Sequence, residues 1–501
     1  MRLRSWYTVC SLVAAHVAST SGTSEGTLCQ GAQCHNNETA ALLQLSLDRR
    51  AHVDESLRTK RLLANIPAYP AFVLRPTSMQ GVSERDLTMH VQSVVPVFPP
   101  QGGAYMAVIA GRRPSSTRDM VQDAAVDMKC TSPDLPGFSS KVSVSTGNSS
   151  CCSWQVVFNC AWPEKLRDQH CHNVALTSGG VQLGQYQACH DPALMKESRF
   201  GMAACVTHVY DFGLMMLPQW MEYNVQKGVE HFLVYTTLNE TDDKEFVTLR
   251  PYLDAGMVTL VRLDLPFRKS HGIMKSQGIH MNDCLHRMKG RAEWLLPTID
   301  VDEYLVFNSS ERARAMSFPE ALREALSRRA PSTDPVHSVT FGRTDFLHPA
   351  DPYHQLQIDS SSRSSAVPNR RLCPKYLVRP ELVDSLFVHW PMGHTPGSKN
   401  VLFNARDLIA FHYRLSESEE DMVTDRTLAS QSEALGRALA TRHGKTWPTL
   451  GPSLRALSPM ALVQPEPKDE DDEDGEIAAE AARLFGEAAL ATSPTFIDGA
   501  M

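Results

Sequence analysis

The most informative stretch of this 501-residue chain is Ala292-Glu-Trp-Leu-Leu-Pro-Thr-Ile-Asp-Val-Asp-Glu-Tyr-Leu-Val-Phe307. Residues 294–299 lack polar alternation, which is typical of a strand buried on both faces of a sheet. The carboxylates of Asp300 and Asp302 follow directly, and on an extended backbone residues two apart point the same way while Val301 turns back to the core. Two hard oxygen ligands suit Mg²⁺ or Mn²⁺ and leave room for substrate phosphates. A solvated acidic turn is the alternative interpretation.

The segments before this stretch alternate between strand and helix patterns. We predict strands at 201–208, 229–235 and 257–263 and helices at 214–227, 239–253 and 273–289. Such alternation predicts an α/β fold with an open, mostly parallel sheet flanked by helices. Ligands of such sheets bind at the carboxyl ends of the strands, which is where Asp300 and Asp302 are expected.

The two ends of the chain differ from its middle. A basic start, a short apolar segment and small residues predict a signal peptide or short membrane anchor over 1–25, and hence the secretory pathway with possible membrane association through the N-terminus. Residues 466–476 carry eight acidic residues against one lysine, so this run accounts for the whole formal charge of −7. No basic surface is left for nucleic acid. We predict a largely disordered acidic tail over 446–501.

Cysteines are concentrated before residue 190. Six of the chain's twelve lie between 130 and 189, which favours a disulfide-stapled module in an oxidising compartment over a zinc site. Strand-like runs between Gly, Pro and Ser clusters surround them. The predicted organisation is therefore a stem over 26–95, a smaller β-rich cysteine-containing domain over 96–198 and a catalytic domain over 199–445.

Several separated motifs, in order, resemble glycosyltransferase family 92. They are Glu230-His-Phe-Leu-Val-Tyr235, Leu249-Arg-Pro-Tyr-Leu253, Asn282-Asp-Cys-Leu285, Ile299-Asp-Val-Asp-Glu303, Lys375-Tyr-Leu-Val-Arg-Pro380 and His412-Tyr-Arg414. The resemblance covers residues 201–420. It implies a GT-A fold and a metal-dependent, inverting transfer of a sugar, most often galactose from UDP-galactose, to a glycan or glycoprotein acceptor in the Golgi lumen or membrane. Secretion of the protein is the alternative localisation.

The resemblance also implies roles for individual residues. Asp300 and Asp302 become ligands that bridge Mn²⁺, or Mg²⁺, to the diphosphate of the UDP-sugar donor. Donor contacts are further expected at Asp242, Asp243, Asn282 and Asp283. For Asn282 and Asp283, which lie on the helix before the metal strand, bracing of the metal loop or a hydrogen bond at the helix surface are the alternatives. The chain departs from the family at residues 236–238, where Thr-Thr-Leu replaces the usual Asp or Asn.

Two roles are assigned to residues farther along the chain. His389 and His412 are candidates for a third metal ligand, because a neutral imidazole can complete such a site. An inverting reaction also needs a general base for the acceptor hydroxyl, and Asp345 is the candidate.

Two other functions fit parts of the pattern. A catalytically inactive glycan-binding protein of the same fold is favoured by the altered residues 236–238 but has no need for paired carboxylates. A metal-dependent nucleotidyltransferase shares the carboxylate chemistry, but the leader and the cysteines favour glycan chemistry over it.

Overall fold

The computed structural model describes most of the chain between residues 63 and 450. The described ranges are 63–65, 72–74, 87–99, 102–112, 121–123, 125–146, 155–189, 200–207, 211–236, 243–262, 277–297, 300–330, 333–349, 354–364, 374–415 and 422–450. The predicted leader, most of the predicted stem and the acidic run lie outside these residues.

The described elements of the N-terminal half are mainly strands. They are β1 (Leu63–Asn65), β2 (Phe72–Leu74), β3 (Leu87–Val97), β4 (Tyr105–Arg112), β5 (Lys129–Thr131), β6 (Ser139–Thr146), β7 (Gln155–Ala161), β8 (Cys171–Ser178) and β9 (Val181–Cys189). Strands and helices then alternate: β10 (Phe200–Val206), α1 (Asp211–Gln226), β11 (His231–Thr236), α2 (Asp243–Asp254), β12 (Val258–Arg262), α3 (Gln277–Met288) and β13 (Ala292–Leu296).

Strands again dominate after β13. The elements are β14 (Glu303–Phe307), α4 (Glu311–Ala315), α5 (Phe318–Arg329), β15 (Val336–Leu347), β16 (Ser362–Ser364), β17 (Lys375–Val378), β18 (Val383–Phe387), β19 (Trp390–His394), β20 (Lys399–Leu402), β21 (Leu408–Leu415), β22 (Met422–Thr424) and α6 (Ser432–His443). Short 3-10 turns lie at Glu164–Leu166, Gln357–Asp359, Pro380–Leu382 and Ala429–Gln431.

The larger sheet is parallel at one end and mixed at the other. Its strand order begins β1-β12-β11-β10-β13, and each neighbouring pair in this part is parallel. The alternating strands and helices predicted from the sequence are therefore present. Beyond β13 the sheet continues through β17, which is antiparallel to both β13 and β15. The sheet as a whole is mixed, so the expectation of a mostly parallel sheet holds only for its first five strands.

Helices cover the parallel strands on both faces. Leu217, Trp220 and Met221 of α1 pack with Phe232 and Leu260 in one buried cluster. Helix α3 covers the opposite face and is buried at ten of its twelve residues. A helix that is buried on nearly all sides must lie between two packed layers rather than at the surface.

The second layer over α3 is an antiparallel sheet. Its strand order is β2-β3-β4-β7-β6-β5-β8-β9. Disulfides join Cys130 to Cys160 and Cys171 to Cys189. The β-rich, cysteine-containing region is therefore present, and both of these disulfides use cysteines from the predicted cluster.

The boundaries of this sheet differ from the prediction. Strands β2 and β3 begin before residue 96, inside the predicted stem. One face of the sheet, at Val95, Ile109 and Val157, shares a buried cluster with α3 and β10. A third disulfide, Cys205–Cys284, ties β10 to α3 within this cluster. The antiparallel sheet therefore packs into the same core as the parallel strands.

The domain predicted over 199–445 also extends past its predicted end. Trp447 and Leu450 are buried in the same cluster as α1, although the acidic tail was predicted to begin at residue 446. Across the described ranges, no helix is both long enough and apolar enough to cross a membrane.

Candidate active site

The Asp300–Asp302 segment lies at the carboxyl end of β13, as the sequence predicts. The backbone is not extended there, because the amide of Glu303 donates to the carbonyl of Asp300 (2.9 Å) and closes a turn. Val301 packs against the main buried cluster, as expected. The amide of Tyr413 donates to the carbonyl of Asp302 (2.9 Å) and fixes the far side of the turn. The turn therefore holds both carboxylates at the edge of the sheet, with Val301 as its apolar anchor.

Strand register brings three ionisable side chains into one row. In the antiparallel pair β14–β21, Glu303 lies opposite His412. In the parallel pair β15–β21, Asp345 lies beside the same histidine. His412 is therefore between two strands that each carry a carboxylate, and it also contacts Asp302 in the turn.

Lys375, at the start of β17, is the buried cation of the site. Its Nζ lies 2.7 Å from Oε2 of Glu303 and 3.3 Å from Oδ2 of Asp300, and its side chain is only 3% exposed. Burial lowers the pKa of Lys375, but the carboxylates of Asp300 and Glu303 outweigh it and raise that pKa above its ordinary value. Burial raises the pKa of Glu303, with Lys375 acting against the shift. The contacts of Lys375 with Glu303 and Asp300 hold the turn in place.

His412 has a carboxylate on each ring nitrogen. Its Nδ1 lies 3.1 Å from Oδ1 of Asp345, and its Nε2 lies 3.4 Å from Oδ2 of Asp302. Burial opposes the charged form, but these two contacts raise the pKa of His412 to about 9. Burial likewise works to raise the pKa of Asp302, and His412 reverses that effect, so the pKa is lowered. In this arrangement His412 is the counter-charge of Asp302 and Asp345, and its role as a metal ligand stays a prediction.

His389 differs from His412 in its protonation state. Its Nδ1 lies 3.3 Å from the carbonyl oxygen of Pro374, so this nitrogen is the donor and Nε2 keeps its lone pair. Burial, with Lys375 nearby, lowers the pKa of His389 to about 4, and the ring is neutral. A histidine whose second nitrogen donates to a backbone carbonyl is typical of metal ligands. Asp300 is among the charges that act on this ring.

The fit of the residues to a metal ion rests on the Asp302 turn. Oδ1 of Asp302 is buried and has no hydrogen-bond partner among the described residues. The Asp300 side chain is 46% exposed. Within the described ranges, no three His, Cys, Asp or Glu side chains are arranged to hold a metal by themselves. This pattern fits an ion held by one or two carboxylates together with substrate phosphates, the arrangement that Mg²⁺ prefers.

Two predicted donor contacts are buried inside the protein. The Asn282 side-chain amide donates to the carbonyl of Leu386 (2.9 Å), and its oxygen accepts from the amide of Leu386 (2.8 Å). The Asp283 carboxylate accepts from Ser93, Tyr235 (2.5 Å) and Arg287 (2.7 Å). Asn282 and Asp283 are fully buried, so neither is exposed to a ligand here.

In place of a donor contact, these two side chains have a bracing role. Asn282 fastens β18 to α3, and Asp283 joins β3 of the antiparallel sheet to β11 through α3. Asp242 lies outside the described residues, and Asp243 is the first residue of α2.

Two cations of the site, Lys375 and Arg343, had no predicted role. Lys375 lay within a quoted motif but far from Glu303 in the chain. Arg343 lies 4.0 Å from Glu303 and 3.8 Å from Asp345. The available signal was a lysine at the start of an otherwise apolar strand, because such a lysine needs a buried partner.

Comparison with known proteins indicates the family of the region that contains this site. Residues 200–438 match the sequence profile of Glycosyltransferase family 92, and this part of the chain is a domain of that family. Beta-1,4-galactosyltransferase galt-1 of Caenorhabditis elegans is 26% identical over 162 residues, covering 30% of this chain and 38% of the relative. Galactan beta-1,4-galactosyltransferase GALS3 of Arabidopsis thaliana is 26% identical over 227 residues, covering 45% of this chain and 43% of the relative. The chain spans less than half the length of these relatives.

Proposed function

We propose that this protein is a GT-A-type glycosyltransferase that transfers galactose from UDP-galactose to a glycan acceptor with inversion at the anomeric carbon. The family of residues 200–438 and the names of its relatives support this proposal. The single observation that carries it is the buried Oδ1 of Asp302, which has no hydrogen-bond partner among the described residues at the carboxyl end of a parallel strand.

In the proposed metal site, Asp302 is the principal ligand and Asp300 the second carboxylate, and the donor phosphates complete the coordination. His389, whose Nε2 keeps its lone pair, is the candidate for a further protein ligand. A bound Mn²⁺ or Mg²⁺ supplies the positive charge that neutralises the departing diphosphate. Lys375 limits the repulsion between Asp300 and Glu303, and His412 does the same between Asp302 and Asp345. These two cations offset two of the four negative charges of the acidic cluster and so reduce the repulsion between its carboxylates.

The general base in this proposal is Asp345. The acceptor hydroxyl attacks the anomeric carbon as the bond from that carbon to UDP breaks, and Asp345 takes the hydroxyl proton. Nδ1 of His412 lies 3.1 Å from Oδ1 of Asp345, and this contact fixes the orientation of the carboxylate. The side chain is 21% exposed, so it is accessible to an acceptor.

The proposed location is the lumen of the secretory pathway, with the Golgi as the expected compartment. Three disulfides, two in the antiparallel sheet and one between β10 and α3, support an oxidising environment. UDP-sugar donors and glycan acceptors are the partners that this chemistry requires.

Donor turnover by the purified protein tests the proposal. We would measure nucleoside diphosphate release from a panel of UDP- and GDP-sugars, with Mn²⁺ or EDTA, for the wild type and Asp302→Asn. The matched control is Asp254→Asn, the same substitution at a half-exposed carboxylate of α2. We expect metal-dependent release from UDP-galactose that Asp302→Asn lowers at least 100-fold and Asp254→Asn leaves unchanged.

Two other outcomes would count against the proposal. Equal release of nucleoside diphosphate by Asp302→Asn and Asp254→Asn would refute the role of Asp302. A folded protein that binds saccharides but consumes no donor would instead be a glycan-binding protein of this fold.

A further inference from the structure

The hairpin β18–β19 carries a tryptophan of unusual exposure. Four tryptophans of the described residues are at most 4% exposed, namely Trp162, Trp220, Trp294 and Trp447. Trp390, the first residue of β19, is only partly buried. A large aromatic side chain that stays at the surface while its counterparts are buried is a candidate for ligand contact.

Two sets of contacts fix the orientation of the hairpin. At one end, His394 stacks on His337 with ring centroids 4.2 Å apart, next to the start of β15. At the other end, the Tyr376 hydroxyl donates to the carbonyl of Phe387, which pairs with Trp390. Because Tyr376 follows Lys375 in β17, the second end lies beside the buried cation of the active site. Trp390 is therefore at the end of the hairpin nearest the carboxylates.

His389 connects this end to the proposed donor site. Its ring centroid is 6.0 Å from that of Trp390, and its Nδ1 donates to the carbonyl of Pro374 (3.3 Å). The next residue, Lys375, has its Nζ 3.3 Å from Asp300. A short chain of contacts thus leads from the Trp390 ring to the metal-binding turn. Phe387 packs against the Trp390 ring, with centroids 4.9 Å apart, and fixes its position.

We propose that Trp390 is the stacking surface for a pyranose ring of the acceptor glycan. This inference rests on the proposed function and adds the acceptor side to the same site. A pyranose ring has one face of C–H groups and an edge of hydroxyls, so it needs an aromatic surface next to polar groups. Trp390 supplies the aromatic surface. The carboxylates of the active site, which connect to Trp390 through His389 and Lys375, supply the polar groups.

Saccharide binding tests the inference without turnover. The probes are β-1,4-linked galactobiose, lactose and N-acetyllactosamine, observed by saturation-transfer NMR on the full chain with UDP and Mg²⁺. We expect at least one probe to bind, with saturation strongest on the C–H groups of one ring face. Trp390→Ala should raise its Kd at least tenfold, and Trp390→Phe, which keeps an aromatic surface, should stay within threefold of the wild type. The control is Val181→Ala, which trims an exposed side chain of the antiparallel sheet.

Each result has a defined meaning. An unchanged Kd in Trp390→Ala, or no binding of any probe by the wild type, would overturn the stacking role. Wild-type hydrolysis of UDP-galactose without acceptor reports on the proposed function separately. If hydrolysis occurs and the acceptor KM is equal in Trp390→Ala and the wild type, the stacking role fails and the enzyme remains. If no donor is hydrolysed but Trp390→Ala loses saccharide binding, the enzyme proposal fails and the sugar site remains.

Discussion

Replacing Lys375 by methionine is the sharpest test of how the acidic cluster is held. The substitution keeps the length and apolar stem of the side chain but removes a cation that is 3% exposed. Glu303 is fully buried, so it becomes a buried carboxylate without its 2.7 Å partner. Breaking a buried pair in this way costs about 3–5 kcal/mol. Arg343 (4.0 Å) and His412 (3.8 Å) still act on Glu303, which brings our expectation to about 3 kcal/mol at pH 7.5.

The pH dependence of this loss has a definite sign. Removing Lys375 raises the folded-state pKa of Glu303 further above its unfolded value, so folding then favours the protonated acid. The penalty is therefore full at high pH and shrinks as the pH falls through that folded-state pKa. We expect Lys375→Met to recover part of its lost stability between pH 7.5 and pH 5.0, relative to the wild type.

Urea unfolding followed by near-ultraviolet circular dichroism measures both effects. The matched control is Arg328→Met, which breaks an exposed pair with Glu324 (2.6 Å) and should cost under about 1 kcal/mol. The double variant Glu303→Gln/Lys375→Met removes both charges and should recover most of the loss. A loss below about 1 kcal/mol in Lys375→Met, or a double variant no more stable than the single one, would refute this reasoning.

Three further predictions follow from the described contacts. Asp345→Asn should lower kcat about 100-fold or more while the KM for UDP-galactose changes little, as steady-state kinetics with both substrates will measure. Burial lowers the pKa of His231 to about 4, so the free energy of unfolding should decrease as the pH falls from about 6.5 to 4, and less steeply in His231→Gln; parallel slopes would contradict this. Cys284→Ala, which removes the Cys205–Cys284 disulfide, should cost about 2–5 kcal/mol in urea unfolding, whereas an unchanged midpoint would show that the bond contributes little.

Local patterns were sufficient to predict the parallel part of the fold. The strands β10 to β13 are short apolar runs, and the helices between them have apolar residues on one side, so sequence neighbours alone determine both patterns. The position of Asp300 and Asp302 followed because the carboxyl end of a buried strand is set by where its apolar run ends. The turn itself was not predictable, because the hydrogen bond from the amide of Tyr413 comes from a distant strand.

Strand β3 shows why the first domain boundary was placed too late. Its sequence includes Gln92 and Ser93, and both are buried in the fold. Ser93 donates to the carboxylate of Asp283 in α3, so a tertiary contact satisfies a polar residue in the middle of a strand. Polar residues that are paired inside the protein look like surface residues in the sequence.

The electrostatics of the site depended on pairs that are distant in the chain. Glu303 and Lys375 meet only because β17 lies close to the β13–β14 turn. His412 was predicted as a neutral ligand on chemical type alone, but its charge is decided by Asp302 and Asp345 on neighbouring segments. Residue type therefore indicated which side chains belong to the site, while their protonation states required the folded neighbours.

Binding of Mn²⁺ in the presence of UDP tests the central claim most directly. The electron paramagnetic resonance signal of free Mn²⁺ reports how tightly the protein binds Mn²⁺, with or without UDP. This measurement needs no acceptor. We predict that UDP tightens Mn²⁺ binding to the wild type, that Asp302→Asn weakens it at least tenfold and that Asp254→Asn does not change it. Equal Mn²⁺ affinity in the wild type and Asp302→Asn would contradict the account of this site.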